Sequence, residues 1–297
     1  MTRVAAQRHR INRAINFIHD NLLDDIRLDD MAEAACLSRY HFLRVFQRHC
    51  NESPARYLWR SRLEHATRML MFQPDQTVGS VALASGFDSH HSFSRAFARR
   101  FGMPPSALER SPFGPSPMPA PLNDVGNFSL PTERLPIDES AIRVQRVPAI
   151  RLAYLRFRGP YLRNGERVRH HVNLLRKWCL ETGRANTDER LFGLLHDNRR
   201  VTPSAFCRYD IGVPVPGDTV EDETVSIMTI PAGRYAIARV HHDNAQMLGA
   251  WEWLSYDWRR ERAMPYRQMW SYEIYRPRLD GTVRPEDGID ICLRLSD

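Results

Sequence analysis

A five-residue string, Phe-x-Arg-x-Phe, occurs twice in this chain, as Phe42-Leu43-Arg44-Val45-Phe46 and as Phe93-Ser94-Arg95-Ala96-Phe97. Each copy belongs to a longer repeated unit. A short apolar helix comes first, then a turn (Ala35-Cys36-Leu37-Ser38 in one unit, Ser85-Gly86-Phe87-Asp88 in the other), then a helix carrying the string. Arg48 or Arg99 lies just beyond it, and Pro54 or Pro105 follows. A repeat of this length made of two helices and a tight turn is a duplicated helix-turn-helix, and the duplication restricts the first hundred residues to two linked copies of one helical unit.

The local signals agree with that frame. Ile11, Ile15, Ile18 and Leu22 recur at helical spacing, so residues 8–23 read as a first amphipathic helix with Arg8, Arg10 and Arg13 on its polar face. Asp29 or Asp30 can cap the next short helix, whose Met31, Ala34 and Ala35 face inward, and Ser38 is the expected cap of the helix after it. Pro54 suits the first turn of a long helix running to about Phe72, with Tyr57, Leu58, Leu63, Ala66 and Leu70 as its buried side. At ~1.5 Å per residue that helix is a rod of ~28 Å, close to one turn of duplex, and it acts as a spacer between two major-groove readers. Gln73-Pro74-Asp75 ends it, Thr77 caps the next helix, Gly86 supplies the second turn and Asp88 is the expected cap of the second recognition helix.

At 297 residues the chain is long enough for two or three domains. Lys+Arg exceeds Asp+Glu by 42 to 35, a formal charge of +7 that fits a polyanionic partner. Arginine supplies nearly all of it, because Lys177 is the only lysine. The five cysteines are scattered, without a C-x-x-C pair, and read as reduced thiols. The amino terminus shows no signal-peptide pattern and no run of about eighteen apolar residues occurs, so the expectation is a cytoplasmic, nucleoid-associated protein with no membrane partner.

Residues 8–110 resemble the AraC/XylS DNA-binding domain, an all-α, homeodomain-like arrangement of two helix-turn-helix units bridged by one helix. The resemblance rests on Ala84-Ser85-Gly86-Phe87-Asp88-Ser89, then Phe93-Ser94-Arg95, then Phe101-Gly102-Met103-Pro104-Pro105, in order and spacing. It implies a DNA-binding domain over residues 1–110, with Arg39, Tyr40, Leu43 and Arg44 on the DNA face of the first recognition helix and His90, His91, Ser94 and Arg95 on that of the second. The chemistry of these side chains agrees: arginine reads guanine O6 and N7 or grips phosphate, and His, Ser and Tyr bond base edges or backbone. Leu43 departs from the polar residue usual at that position and offers apolar contact, such as to a thymine methyl. Phe42, Phe46, Phe93 and Phe97 read as core. Neighbouring residues such as His90 and His91 point to different sides of a helix and do not make a metal pair; no metal or cofactor is expected.

From Ser111 the prolines recur and helical periodicity disappears, so 111–137 reads as a linker. The second domain, 138–297, repeats internally. Val147-Pro148-Ala149-Ile150-Arg151-Leu152-Ala153 matches Ile230-Pro231-Ala232-Gly233-Arg234-Tyr235-Ala236, and each copy continues as strand, helix (about Glu166 to Thr182, and about Ala245 to Arg262) and further strands. Those strands are Leu191 to His196 and Arg208 to Val213 in one half, and Met269 to Tyr275 and Ile289 to Leu295 in the other. The expected whole is multidomain, with an α+β carboxy-terminal domain of two pseudo-symmetric β-α-β-β repeats enclosing a cleft. Phe157 to Tyr161 (FRGPY), Arg208-Tyr209-Asp210, Gly233 to Tyr235 and Tyr272-Glu273-Ile274-Tyr275 together look like the GyrI-like effector-binding domain. Both domains in this order are similar to Rob-type regulators within the AraC family. The resemblance implies a transcription factor, expected to activate, that binds duplex DNA as a monomer across two adjacent major grooves, contacts RNA polymerase and senses a small-molecule effector.

One carboxylate points to the ligand. Glu273 lies mid-strand between apolar neighbours, with Met269, Ser271 and Tyr275 on its face by alternation. A buried charge needs a partner, and the matching place in the first repeat is near Gly193, so the acid belongs to one half only. Aromatic rings around a lone carboxylate suit an amphipathic, cationic or aromatic compound. Tyr275, Trp270, Tyr154, Phe157 and Trp251 are the candidate walls, with Trp178, Phe192 and Trp258 further aromatics that could equally be core. Three other readings stand beside this one: a structural ion pair between Glu273 and an arginine, a GyrI-like hydrolase or drug-sequestering domain in which Glu273 serves as general base, and an architectural DNA-binding protein without effector.

Overall fold

The computed structural model describes residues 3–72, 75–108, 139–159, 165–184, 190–197, 201–241, 244–262, 270–276 and 287–295. The chain divides into two compact units, Met1–Asn123 and Asp124–Asp297. The proline-rich segment expected as a linker, 111–137, and Met269 lie outside the described residues.

The first unit is two three-helix copies in succession. α1 (Arg3–Asp20), α2 (Leu28–Ala34) and α3 (Arg39–Cys50) form one; α4 (Pro54–Phe72), α5 (Val78–Ala84) and α6 (His90–Phe101) form the other. Ile11, Ile15 and Ile18 of α1 meet Phe42, Val45 and Phe46 of α3 and Tyr57 of α4 in one apolar core. In the second copy Phe87, Phe93, Phe97 and Phe101 stack in succession, with ring centroids 5.2, 5.7 and 4.5 Å apart. The phenylalanines of the repeated string are therefore core, as their spacing predicts, and all four are fully buried. α4 packs against α2 and α3 on one side and α5 and α6 on the other. It is the bridge.

The two turns are close copies with one difference. Each ends its first helix with a residue at positive φ, Cys36 (51°) or Gly86 (77°), and with the same backward amide bond, Leu37 N to Ala32 O (3.0 Å) or Phe87 N to Ala82 O (3.1 Å). The second turn is one residue longer, since Asp88 is inserted before the cap of α6. That shift moves the cap. Ser89, not Asp88, occupies the N-cap of α6, and its hydroxyl accepts the Ser92 amide at 3.1 Å while the Ser92 hydroxyl accepts the Ser89 amide at 3.3 Å. In α3, Ser38 holds the N-cap backbone conformation but its side chain makes no capping bond. α2 begins at Leu28, one residue before Asp29, so neither aspartate caps it; Asp30 instead accepts the Arg27 amide from the third helical position at 2.7 Å. Thr77 caps α5 as expected, accepting the Ser80 amide at 3.0 Å.

The second unit is an eight-stranded antiparallel sheet with helices. Its elements are β1 (Arg143–Val147), β2 (Ile150–Arg158), α7 (Gly165–Thr182), β3 (Leu191–Leu195), β4 (Arg208–Pro214), β5 (Ser226–Ile230), β6 (Gly233–Val240), α8 (Asn244–Trp253), α9 (Arg259–Glu261), β7 (Tyr272–Tyr275) and β8 (Ile289–Arg294). A π-helical stretch, Leu254–Trp258, joins α8 to α9. The spatial order β1-β6-β8-β7-β3-β4-β2-β5 reads alike from both ends when the repeats are exchanged, so a pseudo-twofold axis passes between β3 and β7. Each repeat has one strand more than its sequence pattern suggests. That leading strand is traded: β1 pairs with β6 of the second repeat, and β5 pairs with β2 of the first.

Strand alternation sorts the side chains into two layers. On one face Leu155, Phe157, Tyr209, Ile211 and Val213 pack with Leu175 and Trp178 of α7, and Ala236, Ala238, Ile291 and Leu293 pack with Met247 and Ala250 of α8 and with Leu254 of the π-helical stretch. Tyr275 touches both groups. On the other face Leu152, Tyr154, Phe192, Leu194, Tyr235, Tyr272, Ile274 and Cys292 form a separate core. Among the described residues no helix is long and apolar enough to cross a membrane.

Candidate functional site

Burial of the phenylalanines dictates which side chains α3 and α6 turn outward. With Phe42, Val45 and Phe46 inside, α3 exposes Arg39, Tyr40 and Arg44 and leaves Leu43 half-buried. With Phe93, Ala96 and Phe97 inside, α6 exposes His90, His91 and Arg95 and leaves Ser94 half-buried. All eight expected DNA contacts thus fall on outward or boundary positions. Tyr40 is 89% exposed, a large aromatic ring held in solvent at the start of a helix. The two faces differ in their internal bonds: Arg39 reaches Asp29 at 3.4 Å, an exposed ion pair of small energetic weight, whereas His90 Nε2 lies 3.4 Å from the Ser94 hydroxyl one turn on.

A buried polar network supports the bridge between these faces. The Arg60 guanidinium meets Glu52 at 2.6 Å and Glu64 at 3.0 Å and lies over the Tyr57 ring, 4.9 Å from its centroid. Burial alone would lower the Arg60 pKa, but the two carboxylates outweigh it and keep the group charged.

In the second unit Glu273 is 2% exposed and stands at the pseudo-twofold axis, because its register partner across β3 and β7 is Gly193. Three ring-borne donors converge on its carboxylate. Trp251 Nε1 donates to Oε1 at 2.7 Å; the Tyr275 and Tyr209 hydroxyls donate to Oε2 at 2.6 and 3.1 Å. The two hydroxyls lie 3.3 Å from each other. Burial, then the neighbouring Tyr275 and Glu273, push the Tyr209 pKa well above 10, so the hydroxyl stays a donor. Gly193 makes this cluster possible: a Cβ there would overlap the Tyr209 hydroxyl and stand 3.1 Å from Glu273 Oε2. The asymmetry of sequence, acid in one repeat and glycine in the other, is thus a steric requirement at an axis where two acids would collide. These described bonds come from neutral donors.

The face assignment divides the six residues expected to bind a ligand. Glu273, Tyr275, Trp251 and Phe157 share the helix-bearing face, where Phe157 also packs against Tyr209 (centroids 5.5 Å apart) and His171 (4.7 Å). Tyr154 and Trp270 do not join them. Both belong to the core on the opposite face, Tyr154 because it is an odd number of residues from Phe157 along β2, and Trp270 because it is an odd number of residues from Glu273 and shares the parity of Tyr272 and Ile274. Phe192 is on that opposite face as well. Tyr209 is the residue the sequence pattern missed: it is two strands away from Glu273, and only the order β7-β3-β4 brings it within reach.

A second missed feature is the symmetric pair Asp210 and Asp290, at equivalent positions of β4 and β8. Asp210 accepts from Arg156 at 2.7 Å and lies 2.7 Å from His196 Nε2, all largely buried. Asp290 meets Arg239 at 3.2 Å and Arg276 at 2.6 Å, arginines that are 45% and 41% exposed. Burial alone would raise the Asp210 carboxyl, but Arg156 and His196 together hold it well below the ordinary range. Burial pushes His196 below its usual 6.5, further than Asp210 raises it.

Comparison with known proteins follows the same two-part division. Residues 31–111 match a helix-turn-helix domain family, and residues 140–296 match the GyrI-like small molecule binding domain. A helix-turn-helix-type transcriptional regulator of Haemophilus influenzae is 35% identical over 107 residues, covering 36% of this chain and 36% of that protein. The helix-turn-helix-type transcriptional regulator ArgR of Pseudomonas aeruginosa is 29% identical over 103 residues, covering 35% and 31%. The chain therefore spans about a third of the length of these curated relatives. Among solved structures, a transcriptional regulator of Chromobacterium violaceum with an AraC-type DNA-binding domain is 26% identical, covers 33% of this chain and 86% of its own, and superposes with a TM-score of 0.31.

Proposed function

We propose that this chain, which belongs to the GyrI-like small-molecule-binding family and carries an AraC-type helix-turn-helix domain ahead of that domain, is a DNA-binding transcriptional regulator whose carboxy-terminal half senses an amphipathic cation at Glu273. The observation that carries this reading is the buried Glu273 carboxylate, bonded by Trp251, Tyr209 and Tyr275. Desolvating a carboxylate is costly, and neutral donors offset only part of that cost. A cation entering between the rings would pair with this carboxylate, and the ring faces would add cation–π attraction. Of the expected walls, Phe157, Trp251 and Tyr275 belong to this site; Tyr209 joins them.

On the DNA side, α3 and α6 present Arg39, Tyr40, Leu43 and Arg44, and His90, His91, Ser94 and Arg95, to two successive major grooves, and one molecule suffices for both. The bridging helix α4, 19 residues and therefore about 28 Å long, has the length such a spacing needs. Residues 1–110 read DNA, 111–137 connect, and 138–297 sense. Ligand binding changes how the bound regulator contacts RNA polymerase, with activation as the output, in the cytoplasm and on the nucleoid. The role is sensing, without turnover of the ligand.

Calorimetric titration of the full chain with aromatic quaternary ammonium compounds, benzyltrimethylammonium among them, and with their neutral isosteres tests the ligand reading. Glu273→Gln is expected to weaken the cations about tenfold or more, roughly 1.4 kcal/mol, and to leave the isosteres unchanged. Equal binding of charged and neutral compounds, or equal affinity in both proteins, would sink it.

A further inference from the structure

Arg62 on α4 bonds three main-chain carbonyls drawn from both helix-turn-helix copies. Its Nε donates to Leu22 O at 3.0 Å and its Nη2 to Asp24 O at 2.6 Å, both in the segment that follows α1. Its Nη1 reaches Gly86 O at 3.4 Å, in the turn that leads into α6. The chain distance between those acceptors spans most of both copies, yet one planar group holds them. Guanidinium geometry suits this, because its donors radiate in fixed directions, whereas a lysine ammonium concentrates its donors at one point.

The equivalent contact in the first copy shows what is unusual here. Cys36, the positive-φ residue of the first turn, also gives its carbonyl to an arginine of the helix that opens its copy, Arg10 Nη1 at 3.2 Å. Arg10 therefore secures a turn within its own copy. Arg62 does the same for Gly86 and, in addition, reaches back into the preceding copy. Gly86 is fitted to it: a Cβ at that position would come within 3.0 Å of Arg62 Cζ and Nε, quite apart from the strain of a side chain at φ +77°.

The turn at Gly86 sets where α6 starts, with the Ser89 cap three residues later. A small rotation of the second copy about α4 would displace α6 along the duplex. We propose that Arg62 is a positioning residue that fixes α6 relative to the first copy and thereby sets the half-site spacing the regulator accepts. This rests on the reading that α3 and α6 enter successive grooves.

The test uses the full chain. Duplexes are selected from a randomised pool with the wild type, and the enriched duplex is then remade with one base pair inserted or removed between the two protected segments. Arg62→Met and Arg62→Lys are compared with wild type by fluorescence anisotropy on each duplex, with thermal melting in parallel. On the selected duplex both variants should bind on the order of tenfold more weakly, the scale of one or two lost charge-assisted bonds. The wild-type penalty for altered spacing should shrink toward none, while base preference within each half-site is kept. Gly86→Ala should reproduce that loss of spacing discrimination, and add nothing to Arg62→Met. Folded variants that keep the wild-type spacing penalty overturn the inference, as do variants that weaken every duplex equally or that fail to fold for both replacements. A wild type that enriches no duplex, or protects one groove only, overturns the two-groove reading instead.

Discussion

The chain contains two duplications that have been folded in opposite ways. In the first unit the copies follow one another, α1 to α3 and then α4 to α6, each around its own stack of aromatic rings, and α4 is shared. In the second unit the copies interpenetrate: β1 and β5 cross to the other repeat, and β3 meets β7 at the axis. A tandem duplication leaves two surfaces of the same kind, each free to acquire its own side chains, as Tyr40 and Leu43 against His91 and Ser94. An interleaved duplication has one axis, and whatever sits there exists once. Glu273 opposite Gly193 is the result.

The largest expected effect tests how far the second unit's halves have diverged. Asp210→Asn removes the countercharge of a buried arginine and should cost about 3 kcal/mol in thermal or denaturant unfolding. Asp290→Asn, at the equivalent position, leaves arginines that are nearly half exposed and should cost about 1 kcal/mol. Equal costs would mean that the burial difference is of no consequence. Acid adds a second readout. The Asp210 carboxyl titrates below its unfolded value, so its contribution is present above about pH 4 and is lost as pH falls through the range beneath. His196 is depressed too, so the neutral ring favours the fold above 6.5 and that contribution declines below it. Wild-type stability should therefore fall from about pH 6.5 downward, and the gap between wild type and Asp210→Asn should narrow below about pH 4.

Gly193→Ala examines the axis itself. Overlap with the Tyr209 hydroxyl should cost about 2 kcal/mol of stability and detach Tyr209 from Glu273, visible as a fall in the Tyr209 pKa by ultraviolet titration. An unchanged titration would show that the cluster tolerates a methyl group. In the tandem unit, Arg44→Ala and Arg95→Ala should each weaken DNA binding by about 1 to 3 kcal/mol and relax base preference in different half-sites, adding when combined. Non-additive losses would contradict independent copies. The smallest effect concerns caps. Ser89→Ala should cost about 1 kcal/mol and Ser38→Ala less than about 0.5, because only the former hydroxyl accepts a helix amide.

Repeats and core rings were readable from spacing, whereas the outward residues of α3 and α6 came from the family resemblance, and burial of the phenylalanines leaves those residues on the exposed or boundary side. Caps were read with less success: Thr77 was evident, but the extra residue in the second turn hands the role of Asp88 to Ser89, a shift that only chain geometry reveals. Glu273 stood out as a lone carboxylate on an apolar strand. Its company did not, because Tyr209 reaches it through strand order and not through sequence. Tyr154 and Trp270 fall on the other face of the sheet from Glu273 for the complementary reason: aromatic character says nothing about which face a ring occupies. The Arg156–Asp210 and Arg239–Asp290 pairs could have been found by laying one repeat over the other, since the two arginines lie at the same offset as the Pro-Ala motif and each faces its aspartate across a strand pair.

The exchange of β1 and β5 has a consequence for how the sensing half can be taken apart. Neither repeat owns all the main-chain partners its strands require, so a cut in the chain between Pro214 and Ser226 would leave two fragments that each keep a strand belonging to the other. Such pieces should be soluble and ordered only when mixed, a split pair that reassembles around the carboxylate at their shared seam.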